Sequence, residues 1–319
     1  MQLVDKASLE REMNDAWYER GDISEAYRLV GLARKMSISF SASGERTARR
    51  VKEAHDWLTA PQELPPRCET PAYVPEPSRI MYTLHSTPVF NSNGYSTRSR
   101  GVADGLKKAG ADVMGVARLG YPWDTASDSK QPSIRRTTIE VDGVTFVHNP
   151  GGNLNTDSFE MYTEKCADMF VREARRLRPA AIVSASNFRT AYPALVAARR
   201  LGIPFFYEVR GMWEITEVSK RPGLDGSEKI RLHQSLETRI AQEAEAVFAI
   251  TRQVADSFVS RGIPAEKIHI APNAVDIDKF VQVPKDSKFA RKIGLSEDLL
   301  TLGFAGSVVE YEGLNLLLE

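Results

Sequence analysis

Glu208, Arg210, Trp213 and Glu214 fall in one short segment, YEVRGMWEITE at 207–217, at the end of an apolar run, PFFYEV at 204–209. Carboxylates and an arginine interleaved with a tryptophan suit the recognition of a sugar: the ring lies on a pyranose face while the charged groups grip hydroxyls or phosphate. The same residues could instead form an internal ion pair with Trp213 in the core. A second cluster follows another apolar run, RIMYTLH at 79–85, which ends in His85 and opens into a polar loop containing Asn93, Gly94 and Tyr95. A loop of small residues at the start of a helix presents unpaired N–H groups and a partial positive charge, which fits a phosphate or sugar hydroxyls. The loop does not have the GxGxxG spacing, and no acidic residue stands where a dinucleotide ribose would need one. No cofactor and no metal are expected. His233 and Glu237, four apart on one helix face, make a weaker pair.

These residues need a frame that sets them at one edge. From Arg79 onward apolar runs alternate with helical patterns, giving expected strands at 79–85, 111–118, 144–149, 182–186, 204–209, 246–251 and 268–272. Between them, Phe159, Tyr162, Cys166, Met169, Phe170, Ala174 and Leu177 advance in steps of three and four and form one apolar helical stripe. Such alternation predicts an α/β fold, a Rossmann-like, doubly wound parallel sheet with its ligand beyond the carboxyl ends of the strands. Residues 1–60 read as three helices, near 5–20, 22–36 and 44–59, that form a small helical extension. The proline-rich stretch 61–78 reads as a stiff linker. The main domain is expected over 79–280. At 281–319 a new strand, TLGF, runs towards Gly306, with a helix from Gly313, the pattern in which a second nucleotide-binding domain opens, here expected as a truncated start.

Composition narrows the function classes. An apolar content of 42% and a charged content of 26% are ordinary for a globular protein. The 42 basic residues balance the 42 acidic ones, which argues against a nucleic-acid partner. Two cysteines, Cys68 and Cys166, are too few for a disulfide framework and fit a cytoplasmic setting. No apolar stretch approaches the ~20 residues of a membrane span. Basic clusters at Arg172, Arg175, Arg176 and Arg178, and at Arg46, Arg49, Arg50 and Lys52, suit a peripheral contact with the inner face of a membrane, each exposed charge adding about 1 kcal/mol there.

The segment PNAVDIDKF at 272–280, followed by GFAGSVVEYEGLNLLLE at 303–319, resembles the junction between the two Rossmann-like domains of GT-B glycosyltransferases of the family-4 type. The Gly94 loop and the EVRG-x-W-E segment are similar to exopolysaccharide-type members, and the resemblance covers about 79–319. It implies an acceptor-binding first domain, a nucleotide-sugar donor held by the second, and transfer with retention to a polysaccharide or lipid-linked acceptor. Carried over by position, Glu208 and Arg210 are the catalytic candidates. His85, Asn93, Gly94, Tyr95, Trp213 and Glu214 would bind substrate, and Gly306 and Ser307 the donor phosphates. Two departures stand out: the family often has an arginine and a lysine where this sequence has Ser307 and Glu312. A carboxylate ~4 Å from a phosphate is repelled by up to ~4 kcal/mol at an effective dielectric of 20, so Glu312 does not replace the lysine. The family's histidine near the end of the fifth expected strand is also missing. Without a donor domain the chain is expected to be inactive alone. The alternatives are a GT-B-fold nucleotide-sugar epimerase and a non-catalytic interaction module of a polysaccharide assembly complex.

Overall fold

The computed structural model describes residues 5–60, 63–125, 133–296, 298–306, 308 and 312–319. Two compact units divide the chain between Asn273 and Ala274, a few residues earlier than the expected junction at 280/281.

Helix α1 (Lys6–Asp15) is capped by Asp5 and runs on through a π-helical turn, Ala16–Arg20, to Gly21, which takes the left-handed conformation that ends it. Asp22 then caps α2 (Ile23–Lys35), and Ser41 caps α3 (Ala42–Thr59). Met13, Ile23, Leu29, Val51 and Trp57 are the buried face of this bundle. The helices pack onto the sheet domain as part of the same compact unit. Trp57 meets Phe159 and Tyr192 edge to face at 5.5 and 5.4 Å, an arrangement that adds to area burial. The Ser24 N–H and hydroxyl donate to Glu228 at 2.6 and 2.7 Å.

Among the described residues the sheet has the order β3-β4-β2-β1-β5-β6-β7-β8. Its strands are β1 (Glu76–Leu84), β2 (Asp112–Ala117), β3 (Thr137–Val141), β4 (Val144–His148), β5 (Pro179–Ala185), β6 (Phe205–Val209), β7 (Ala246–Ala249) and β8 (Ile268–Ile270). All neighbours are parallel except β3 and β4. The chain winds outward from β1 in one direction through β2 and β4, then returns to β5 and winds the other way. That reversal between β1 and β5 is the switch point where loops splay apart and leave a crevice at the carboxyl edge. Helix α4 (Gly94–Lys108) covers one face, over Tyr82, Val113 and Phe146. Helices α5 (Phe159–Leu177), α6 (Phe188–Leu201) and α8 (Glu228–Glu243) form the other face, and α7 (Trp213–Lys220) and α9 (Arg252–Ser260) complete the unit.

The seven expected strands form, most of them shifted or shortened by one to a few residues. The eighth, β3, was not anticipated: it pairs with β4 through a hairpin at Asp142-Gly143, where both residues have positive φ, 51° and 71°. The proline-rich segment is not a free spacer. Cys68 N–H donates to Arg199 O at 2.8 Å and Ala72 N–H to Leu201 O at 2.9 Å. The approach is so close that a Cβ on Gly202 would meet Thr70 O at 2.5 Å.

The second unit corrects an expectation. No strand forms at 301–304; among its described residues are α10 (Ser287–Lys292), α11 (Leu314–Leu318) and a 3-10 turn at Ile277–Lys279. A single strand without a neighbour has no partner for its backbone N–H and C=O groups, so the apolar pattern alone cannot hold it. Leu300, Leu302 and Leu318 of this unit are exposed.

Candidate functional site

Four strands deliver their carboxyl ends to one region. After β6, Glu208 and Arg210 turn inward and meet residues from β1 and α4. Glu208 Oε1 accepts from Arg98 Nε at 2.8 Å, and Oε2 from Arg210 Nη2 at 2.9 Å and from the Tyr82 hydroxyl. Arg210 also donates to Tyr95 O at 2.9 Å, to Ser99 Oγ at 2.8 Å and to the Tyr82 hydroxyl. Its guanidinium lies 4.3 Å from the Tyr95 ring centroid. Arg98 reaches further, to Ala271 O at 2.6 Å and Asn273 Oδ1 at 2.9 Å, tying α4 to the segment that follows β8.

The side chains of Glu208, Arg210 and Arg98 are 4%, 5% and 9% exposed, so this is a buried ion network rather than an open pair of reactive groups. Burial alone would raise the Glu208 carboxyl. The charge and hydrogen bonds of Arg210, with Tyr82 and Arg98, overcome that and hold it below the usual carboxylate range. Its two oxygens are committed within the protein, and the network joins β6 to β1 and α4 just under the carboxyl edge.

The β1 loop is organised above that network. Asn93 caps α4 by accepting from Ser96 N–H at 2.9 Å. Gly94 has open space where a Cβ would sit, which leaves the first turn of α4 approachable. Tyr95 points inward: its hydroxyl accepts from the His85 N–H at 2.9 Å. The half-buried His85 imidazole is held neutral, its pKa pushed down to about 3 by burial and then by Arg118 and Arg189. Its Nδ1 is buried with no hydrogen-bond partner among the described residues. On the other side of the loop, Thr87 Oγ1 lies 2.9 Å from His148 Nε2, and burial pushes that imidazole down to about 4.

Trp213 and Glu214 stand elsewhere, at the start of α7. There they join Asn187, Phe188 and Arg189 after β5 in the wall of a pocket of about 370 Å³. Trp213 is 42% exposed and available for stacking, whereas Glu214 is buried and accepts from Arg261 at 2.7 Å. His233 and Glu237 line the same pocket from α8, but each has another partner. His233 Nδ1 is 3.3 Å from Glu217. Glu237 accepts from Phe188 N–H at 2.7 Å and from the Tyr207 hydroxyl, and burial raises it to about 7.

The structure therefore gathers Glu208, Arg210 and Tyr95 in one network, sets His85, Asn93 and Gly94 along the adjoining loop, and puts Trp213 and Glu214 in the pocket. Gly306 belongs to the second unit, with no strand running into it; Ser307 lies outside the described residues. Sequence reasoning missed Tyr82, Arg98 and Arg189. Arg98 was findable: Tyr95, Ser99 and Val102 form the inward stripe of α4, and Arg98 borders it. Among the described residues no group of three or more His, Cys, Asp or Glu side chains is placed to hold a metal ion, and no helix is long and apolar enough to cross a membrane.

Comparison with known proteins follows the same elements. A family model described as a glycosyl transferase 4-like domain matches residues 93–274, from the cap of α4 to just past Asn273. Among solved structures, the chain is similar to Anabaena Alr3699/HepE in complex with UDP-glucose, with TM-score 0.47, 14% identity, and coverage of 68% of this chain and 50% of that one. It is also similar to the lipopolysaccharide outer core galactosyltransferase WaaB, with TM-score 0.41, 13% identity, and coverage of 62% and 46%. A third is the UDP-GlcNAc 2-epimerase from Methanocaldococcus jannaschii, with TM-score 0.38, 13% identity, and coverage of 60% and 45%. The chain spans about half the length of these structures. No curated protein matches it.

Proposed function

The chain belongs to the glycosyl transferase 4-like family, and on that premise we propose that it supplies the acceptor side of a retaining GT-B glycosyltransferase. In this reading a sugar passes from a nucleotide-sugar donor to a polysaccharide or glycolipid acceptor on the cytoplasmic side of a membrane. The observation that carries it is the family match over 93–274, which takes in the α4 cap, Arg98, Glu208, Arg210 and Asn273. The buried network serves such a reaction by rigidity. It fixes the start of α4 and the end of β6 relative to each other, so groups above it keep their geometry as charge develops.

In the transfer, the bond from the anomeric carbon to the diphosphate breaks and a bond from that carbon to the acceptor oxygen forms on the same face. The acceptor's proton leaves towards the departing diphosphate. Neutral His85 offers a hydrogen bond to a sugar hydroxyl, and the open first turn at Gly94 offers backbone N–H groups to an oxygen of donor or acceptor. Diphosphate binding belongs to a donor domain, and the described part of 274–319, which has no strand, does not build one. Residues 1–319 alone are therefore expected not to turn over a nucleotide sugar.

The test is product analysis with the protein as the cell makes it, incubated with labelled nucleotide sugars and a membrane or polysaccharide extract. A released nucleoside diphosphate with label in a glycoside supports transfer. Label that stays on the nucleotide as an epimerised sugar, or no turnover of any nucleotide sugar, rejects it.

A further inference from the structure

The pocket at the β5 and β6 ends has one wall that the family match does not reach. Arg50, Glu53 and Trp57 of α3, with Trp17 and Tyr18 from the turn after α1, close it from the N-terminal side. At about 370 Å³ it lies at the small end of ligand pockets, a size for one ring and one anionic group.

An account of its charges singles out two residues. Its carboxylates are spoken for. Glu53 accepts from Phe159 N–H at 2.9 Å, and Asp157 lies 3.2 Å from Lys165. Glu214 pairs with Arg261, and Glu217 with Lys229 and His233; Glu237 takes Tyr207 and Phe188. Lys229 is thereby paired, and its ammonium also lies 5.1 Å from the Trp17 ring centroid. Lys220, at the end of α7, is engaged as well, and what remains is Arg50 from α3 and Arg189 from α6. Both are half-buried, and neither guanidinium has an ion pair or hydrogen bond among the described residues. The Arg189 guanidinium does lie over the Phe188 ring at 5.5 Å. Burial lowers the Arg189 pKa and the Arg50 charge lowers it further, with Glu217 acting in the opposite direction, so the net balance at Arg189 disfavours its charge. Two guanidiniums in one pocket wall, neither ion-paired, match the oxygens of one phosphate, which arginine binds through paired N–H donors. Trp213 at the pocket wall gives an adjoining ring an apolar face to lie on.

We propose that this pocket binds a phosphorylated saccharide, with Arg50 and Arg189 on the phosphoryl group and Trp213 against the sugar ring, so that the N-terminal helices select an anionic acceptor. The saccharide half of this inference rests on the transferase reading; the phosphoryl half rests on the two arginines alone. The phosphoryl sugar is either soluble or the headgroup of a lipid carrier, and both present the same chemistry to the pocket.

Calorimetry on the 319-residue chain tests it without any donor, using glucose 1-phosphate, inorganic phosphate, glucose and a prenyl-linked glucosyl phosphate in mild detergent as probes. Binding of at least one of the two phosphoryl sugars is expected. Arg50→Ala and Arg189→Met should each weaken that binding tenfold or more, with thermal melting unchanged, and Trp213→Ala should weaken the phosphoryl sugars while leaving inorganic phosphate unaffected. Preference for the prenyl-linked probe identifies a lipid carrier, and equal binding identifies a soluble or headgroup-only ligand. The proposal is overturned if neither phosphoryl sugar binds, if glucose binds equally well, or if both arginine variants bind as the parent does. Binding here with no glycosyl transfer by the whole protein would sink the transferase reading and leave the anion site standing. Transfer with an acceptor KM unmoved by Arg50→Ala would do the reverse.

Discussion

Replacing Glu208 by glutamine removes the one negative charge between Arg98 and Arg210 while keeping the side chain's shape. Both arginines are nearly inaccessible, at 9% and 5% exposure, so neither can turn to water for compensation. Taking one partner from a buried ion network costs about 3–5 kcal/mol, because the charges left behind stay desolvated and unpaired. A domain of ordinary stability has about 5–15 kcal/mol in total, so the variant should remain folded in buffer but yield early to denaturant. Urea unfolding followed by circular dichroism reads this directly. With a slope of about 3 kcal/mol per molar, the midpoint should fall by 1 M or more. The double variant Arg98→Met with Glu208→Gln should recover part of the loss, since it removes one of the stranded cations, and the coupling between the sites should exceed ~1 kcal/mol. Because the Glu208 carboxyl is held below its usual range, its contribution is present above that range and lost as the pH falls through the depressed value. A cost under ~1 kcal/mol for Glu208→Gln at neutral pH would refute the reasoning, for it would mean that the carboxylate is solvated and the network is not what joins β6 to α4.

Glu237 gives the opposite pH signature. Its pKa is raised from 4.5 to about 7, so the folded state binds the extra proton, and stability falls as the pH rises across that window by up to about 3 kcal/mol. Subtracting the Glu237→Gln unfolding curve from the parent's between pH 4 and 8 isolates this slope from His85 and His148, whose depressed values make stability rise with pH over part of the same range. A flat difference would contradict the assignment. Gly120 has φ 87°, and an added Cβ would overlap the Gly152 carbonyl oxygen. Gly120→Ala should therefore cost roughly 2 kcal/mol or more in thermal or urea unfolding, and an unchanged midpoint would show that the turn after β2 is not so tightly held.

Much of the sheet was readable because its strands are buried on both faces and so appear as short apolar runs, such as VTFVH and PFFYEV. Strand β3 escaped because only one of its faces is partly covered, leaving TTIEV with weak alternation; Asp142-Gly143 was its available signal. The carboxyl-edge positions of His85, Asn93 and Glu208 were readable from strand ends. Their partners were not, because Glu208 is 110 positions from Arg98 in sequence and nothing in either segment names the other. The pocket was hidden for the same reason, with Arg50 and Arg189 brought together only when α3 docks beside α6. Residues 301–304 misled in the other direction: an apolar run is a strand only when a neighbour takes up its hydrogen bonds.

The most direct measurement is the anomeric configuration of the product, read by proton NMR after the protein as the cell makes it has consumed a nucleotide sugar in the presence of EDTA. The account predicts a glycoside with the donor's configuration, formed as free nucleoside diphosphate accumulates, and no need for added metal. An inverted glycoside, a sugar still attached to its nucleotide, or turnover that stops completely on chelation would contradict it.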